Sequence, residues 1–280
     1  MGIINKILPS KIKPFSRDIG FLIQSIKYKI KNHFKRPHKN PIFILGNQKS
    51  GTSVIAALLG KLTNSNTSID LFYSGFRYNL FLKWKGNKIS TNNFINKNRV
   101  EFSSTIIKEP HLSIFYNELK EHFPKSKFVL IVRNPIDNIR SILDRLNIPG
   151  DMDCLNIKER KKIFHSWNLV LNNNWIQGSK NQYIESLAER WNIIVEIYLK
   201  NKENITLIKY EDFLQNKIDV MLNLAKELDL KKEGEIRDII DIQYQPAGKM
   251  KKVNPIIFFG KKNYNKIIKI CEDNMKKINY

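Results

Sequence analysis

The sequence predicts a three-layer α/β/α domain around a central, mainly parallel sheet. Two observations carry this prediction. Short apolar runs at Ile42–Leu45, Thr105–Ile107, Phe128–Val132 and Ile205–Ile208 alternate along the chain with longer stretches of helical period. The runs are mostly apolar at successive positions, as strands covered on both faces are, and each intervening stretch is long enough for the crossover that parallel neighbours require. With 42% hydrophobic residues over 280 positions, the chain can bury one substantial core.

Taken in order, the first element lies at residues 17–36. Ile19, Leu22, Ile23, Ile26, Ile30 and Phe34 recur at helical spacing with Lys27, Lys29, Lys31 and Lys35 between them, which predicts a basic amphipathic helix. Such a helix either lies on an anionic membrane surface or packs on its own domain. A linker from Pro37 to Pro41 separates it from the rest, so residues 1–40 read as an extension and 41–280 as the domain. Helices are expected at Thr52–Leu62, Ser113–Phe123, Pro135–Leu146, Lys158–Trp175, Ser186–Lys200 and Val220–Leu228, with a closing helix that ends near Tyr280.

Composition narrows the partners. The formal charge is +22, and residues 1–40 hold ten Lys or Arg against the single Asp18, which implies an anionic partner. Nucleic acid is the weakest candidate, because the sequence carries no helix-turn-helix or RNA-binding signature and its basic residues flank the fold. Cys154 and Cys271 lie far apart without CxxC spacing, so neither a disulfide framework nor a metal site is expected. No apolar run approaches the ~20 residues that span a bilayer, and no signal-peptide pattern opens the chain. The expected location is the cytoplasm, with peripheral membrane contact through residues 17–36 as an open alternative.

In an open parallel sheet, ligands gather at the carboxyl ends of the strands. The first strand runs into Gly46, Asn47, Gln48, Lys49, Ser50, Gly51, Thr52 and Ser53, and a helix follows. This is the context of a P-loop-like phosphate-binding turn, where backbone N–H groups and a helix N-terminus cradle an anion. A nucleotide or sugar kinase is the nearest enzymatic alternative. It would place lysine directly after Gly51, where Thr52 stands, and would end the Phe128–Val132 strand in an acid for magnesium, where Arg133 stands. No metal is therefore expected.

Lys49, Ser50, Gly51 and Thr52 resemble the 5′-phosphosulfate loop of the sulfotransferases that use 3′-phosphoadenosine-5′-phosphosulfate (PAPS) and release PAP. Arg133 at a strand end and Ser141 two turns into the next helix resemble the family's 3′-phosphate site. Tyr210, in the segment Tyr210–Leu214, is similar to a family tyrosine near the adenine. The loop from Gln243 to Lys252 stands where the family folds a basic segment over the 3′-phosphate, and Lys249 and Lys251 are its candidates. The resemblance covers nearly all of the chain after Pro41. It implies sulfuryl transfer to a hydroxyl or amine of an acceptor; a glycan or glycolipid is the expected acceptor from the aromatic residues named below and the basic N-terminal helix, with another small molecule as the alternative.

The same resemblance places a general base on Lys108, Glu109, Pro110 and His111, after the third apolar run. Cytosolic members close a similar segment with histidine, and some glycan-directed members use a glutamate. Pro110 fills the position aligned with the histidine, so Glu109 and His111 both stand as candidates, Glu109 ahead. Residues 64–103, with Phe72, Tyr73, Phe76, Tyr78, Phe81 and Trp84, and residues 147–183, with Trp167 and Trp175, are expected to wall the acceptor side.

Overall fold

Five short strands pair in parallel because their branched and aromatic side chains fill both faces of one sheet. They are β1 (Ile42–Gly46), β2 (Thr67–Ile69), β3 (Ile106–Lys108), β4 (Lys127–Val132) and β5 (Ile205–Lys209), in the order β2-β3-β1-β4-β5. The register sets Ile44 opposite Lys108 on one side and opposite Val129 on the other. From β1 the chain crosses to the edge strand β2, returns through β3 between them, and then builds outward on the other side through β4 and β5, which puts the topological switch beside β1. The computed structural model describes residues 13–71, 79–156, 163, 165–177, 182–242 and 253–280.

The described helices are α1 (Lys13–Phe34), α2 (Thr52–Leu62), α3 (Asn79–Lys85), α4 (Thr91–Lys97), α5 (Arg99–Phe102), α6 (Tyr116–His122) and α7 (Pro135–Leu146). They continue with α8 (His165–Leu171), α9 (Asn174–Gln177), α10 (Tyr183–Lys200), α11 (Tyr210–Gln215), α12 (Lys217–Glu227) and α13 (Pro255–Lys277). On one face of the sheet Ile42, Ile44, Val129 and Ile131 pack against Ile55, Leu58 and Leu59 of α2 and Met221 and Leu224 of α12. On the other face Phe43, Leu45, Phe128 and Leu130 meet Phe81, Phe94 and Phe115. Val132 there joins Ile139, Leu187, Trp191 and Phe259 of α7, α10 and α13. The result is the expected three-layer α/β/α arrangement.

The expected helix at 113–123 divides in two. Pro110 and the carboxylate of Glu109 start a 3₁₀ turn over Pro110–Phe115, and α6 follows it. Residues 158–162 and 164 of the expected Lys158–Trp175 helix lie outside the described residues, and its remainder forms α8 and α9 with a break between them. The edge strand β2 and the helices α3, α4, α5 and α11 add to the sequence-based expectation. Among the described residues, no helix is long and apolar enough to cross a membrane.

Candidate functional site

A cleft of about 960 Å³ opens at the carboxyl ends of β1, β3 and β4. It is lined by Lys49, Gly51, Thr52 and Ser53 from the turn after β1, Lys108, Glu109 and His111 after β3, Arg133 and Ser141 after β4, and Tyr210 after β5. Ser50 is buried within the turn itself. The topology thus brings together residues separated by up to 161 positions, Lys49 and Tyr210 among them. Lys249 and Lys251 lie outside the described residues, as do Phe72, Tyr73, Phe76 and Tyr78.

The turn needs unusual backbone. Gly46 has φ 145°, Lys49 φ 65° and Gly51 φ 91°. A Cβ on Gly51 would sit 2.3 Å from the ring of Tyr210, so glycine here serves both the left-handed conformation and the close approach of the tyrosine. Helix α2 begins at Thr52 with no side-chain hydrogen bond from its N-cap, Gly51. Thr52 and Ser53 of its first turn line the cleft, so the amino end of the helix opens toward it, a setting that favours an anion.

Side chains from two other helices and the 3₁₀ turn hold this backbone. Asn138 of α7 donates from Nδ2 to the Gln48 carbonyl at 2.8 Å and to Ser50 Oγ at 3.0 Å, and its Oδ1 accepts from Asn47 Nδ2 at 2.9 Å. Ser113 Oγ accepts from the Gly46 N–H at 2.9 Å and donates to the Gly46 carbonyl at 3.1 Å. Arg190 of α10, fully buried, donates from Nε to Asn47 Oδ1 at 3.2 Å and toward Gln48 Oε1 at 3.4 Å. Burial lowers the pKa of Arg190 to about 10, while the charge of Glu109 acts to raise it. None of Asn138, Ser113 and Arg190 was singled out from sequence. Their only trace there is a polar residue at the margin of an apolar stripe, which a surface residue also leaves.

Lys49 and Arg133 supply the cations. Burial, then the charges of Arg145 and Arg133, lower the pKa of Lys49 from its ordinary value. Arg133 donates from Nη1 to the Lys49 carbonyl at 3.1 Å, and its guanidinium lies 5.2 Å from the centre of the Tyr210 ring. The backbone beside it is fixed. Trp191 Nε1 donates to the Arg133 carbonyl at 2.9 Å, and the Asn134 N–H donates to Glu211 Oε1 at 3.0 Å. The guanidinium is therefore presented to the cleft from a strand end whose backbone is held on both sides.

Glu109 and His111 occupy different roles in the geometry. Glu109 is 2% exposed, and both of its oxygens are engaged: Oε2 by the Leu71 N–H at 3.2 Å, Oε1 by the His111 N–H at 3.1 Å and by His111 Nδ1 at 3.0 Å. Burial acts to raise its pKa. The hydrogen bond and charge of His111, with Lys108, outweigh burial and hold it at about 2. A carboxylate so committed is a weak proton acceptor. As an acceptor for Nδ1 it favours the tautomer with the proton on Nδ1, which leaves Nε2 as the lone-pair nitrogen, and Nε2 is buried without a hydrogen-bond partner among the described residues. Phe81 stacks on the imidazole with ring centres 4.9 Å apart, and Trp175 lies 6.3 Å from it. Gln48 Nε2, from the turn after β1, lies 3.2 Å from His111 Nδ1, a contact between the two sides of the cleft that is no hydrogen bond while Nδ1 carries its proton.

Lys108 is buried and pairs with Asp70 at 2.5 Å. Burial, then the charge of Glu109, raise the pKa of Asp70, and Lys108 opposes them. Among the described residues, no group of His, Cys, Asp and Glu is arranged to hold a metal ion. The β4 strand ends in Arg133 where a magnesium-dependent kinase needs an acid, so the alternative kinase reading finds no support in this cleft.

Comparison with known proteins follows from this geometry. The family model described as "Sulfotransferase domain" matches residues 39–256. A sulfotransferase crystal structure from Mycobacterium avium is similar with a TM-score of 0.57 at 12% identity, covering 86% of this chain and 77% of its own. A sulfotransferase from Mycobacterium tuberculosis has a TM-score of 0.49 at 10% identity, covering 87% and 79%. A mouse sulfotransferase complexed with PAP has 0.48 at 15% identity, covering 86% of both chains. At these identities the first likeness shows the fold, and the other two carry no further argument. No curated protein matches the sequence.

Proposed function

We propose that this chain, which belongs to the sulfotransferase family and so is a PAPS-dependent sulfotransferase, holds the donor on the turn Lys49–Ser53 and uses His111 as its general base. The observation that carries the reading is the amino end of α2 opening on a cleft that Lys49 and Arg133 line together with the His111–Glu109 pair.

Sulfuryl transfer, like phosphoryl transfer, is an in-line displacement through a loose transition state, so charge stabilisation and positioning carry the catalysis. The S–O bond to the departing 5′-phosphate breaks while the bond from the acceptor oxygen or nitrogen to sulfur forms. Negative charge builds on the departing phosphate oxygen. Lys49 is placed to stabilise it, with the first amides of α2 and the hydroxyls of Thr52 and Ser53 as further donors. Arg133 and Ser141 hold the 3′-phosphate, and Tyr210, against Gly51, packs near the adenine. Lys249 and Lys251 remain candidates for the same phosphate. His111 Nε2 takes the acceptor's proton, and Glu109 orients the ring and stabilises the imidazolium that results.

Trp167 on the cleft wall suits the flat face of a sugar ring, while Phe81 and Trp175 pack behind His111, and we assign the acceptor to the glycans, glycolipids or small molecules with such a ring. The basic balance of the chain fits these anionic nucleotide contacts better than nucleic-acid binding.

Calorimetry of PAP without magnesium, compared with AMP and ATP, tests the donor assignment. PAP is expected to bind tightest, with Arg133→Ala losing about 10-fold to 100-fold of PAP affinity and little of AMP affinity. Lys49→Ala is expected to retain most PAP affinity and lose about 100-fold to 1000-fold in kcat. Equal binding of PAP and AMP would remove the 3′-phosphate site from the proposal.

A further inference from the structure

Helix α1 sits on the domain by its polar face. Ser25 and Tyr28 are each 8% exposed. The Tyr28 hydroxyl donates to Glu101 Oε2, Asn32 Nδ2 donates to the Asn96 carbonyl at 2.9 Å, and Asn32 Oδ1 accepts from the Val100 N–H at 3.1 Å. At ~100° per residue, Ser25, Tyr28 and Asn32 fall within about 60° of one another. Ile23, Ile26, Ile30 and Phe34 fall on the opposite side, where they are 47%, 49%, 56% and 78% exposed.

Exposed apolar residues scattered singly require no explanation. These four form one stripe about 16 Å long, at ~1.5 Å per residue. Lys27 and Lys31 border it on one side and Lys29 and His33 on the other, and no acidic residue occurs from Ile23 to Arg36. An apolar stripe between two basic margins matches a lipid surface whose acyl boundary lies beneath anionic headgroups. A second copy of the same face is a poor match, because a two-fold pairing would bring the lysine margins together with no acid on this stretch to neutralise them.

We propose that the outward face of α1 is a docking surface for an anionic lipid bilayer, with the helix in the plane of the interface. The inference is independent of the donor assignment. The helix is anchored by residues 96–101, just ahead of the amino end of β3, and His38 donates its N–H to the Phe102 carbonyl beside it. The cleft lies at the carboxyl ends of the strands. Anchor and cleft are thus at opposite ends of β3, and the contact localises the enzyme without itself pressing the cleft against the leaflet.

Co-sedimentation of the full chain with vesicles tests this, comparing phosphatidylcholine alone with phosphatidylcholine containing phosphatidylglycerol. The chain is expected to partition onto the anionic vesicles and to release as salt rises. The triple variant Ile26→Ser, Ile30→Ser, Phe34→Ser is expected to lose about 10-fold or more of that partitioning. Its thermal midpoint and PAP affinity should stay unchanged, because none of the three side chains belongs to the docked face. Lys27→Gln with Lys31→Gln should weaken binding to the anionic vesicles and flatten its salt dependence. Equal partitioning of the wild type and the triple variant would overturn the proposal. So would a dimer in sedimentation velocity that the triple variant dissolves while vesicle binding is absent, which would assign the face to a second copy.

Discussion

The two walls of the cleft are built by different means. The wall proposed for the donor is mostly backbone, a turn from Gly46 to Ser53 pinned from outside by Asn138, Ser113 and Arg190. The wall proposed for the acceptor is side chain, one imidazole set by one carboxylate and packed against aromatic rings. The difference follows from what each must do. An anion of fixed shape is best met by amides that need no reorganisation, whereas a base has to change its protonation state and so needs a partner that tolerates both forms. Gln48 belongs to both walls, as its carbonyl is held by Asn138 and its side chain reaches His111.

The sharpest way to separate the walls is His111→Gln. It is expected to lower kcat by about 100-fold to 10,000-fold while PAP affinity by calorimetry stays unchanged. A matched loss of PAP affinity would show that the imidazole serves the donor wall instead.

Next in size is Asn138→Ala, which removes three hydrogen bonds that fix the turn without touching the acceptor wall. A loss of about 1–3 kcal/mol in urea unfolding is expected, together with weaker PAP binding. Unchanged PAP affinity in the folded variant would mean that the turn holds its shape without α7.

The smallest effect concerns pH. Glu109 has a pKa of about 2 in the fold, against 4.5 ordinarily, so its ionised form stabilises the fold above the higher value. That contribution fades as pH falls from 4.5 through about 2. In Glu109→Gln this part of the acid limb should be missing, and the unfolding midpoint should fall less steeply across that window. An identical slope in both proteins would show that the carboxyl is not held ionised by His111.

Much of the frame was readable from residues alone. The expected helices Thr52–Leu62 and Pro135–Leu146 coincide with α2 and α7. α7 carries its own start signal, with Pro135 in the first turn and Asn134 Oδ1 accepting from the Ile136 N–H at 3.0 Å. The edge strand β2, with three residues, and α3 to α5 escaped notice, because the Asn-rich stretch around them shows no sustained period and is ordered by packing Phe81, Trp84, Phe94 and Phe102 into the core.

α1 and α7 show where periodicity stops. Both carry an apolar stripe, yet α7 buries Ile139, Ile142 and Leu143, while α1 turns Ile26 and Ile30 to solvent. A hydrophobic period says that a helix has two faces, and only its neighbours decide which one meets the domain.

The sequence by itself determined the parallel sheet, the turn at Gly46–Thr52 with its lysine, and the arginine that replaces an acid after β4. These depend on local chemistry, the run of apolar residues and the backbone freedom of glycine. Tertiary structure alone decided which residues hold the turn and how Glu109 and His111 are paired. Asn138 meets Asn47 across 91 positions and Arg190 meets it across 143. Partnerships at such separations are set by how helices pack on the sheet, and no local pattern records them.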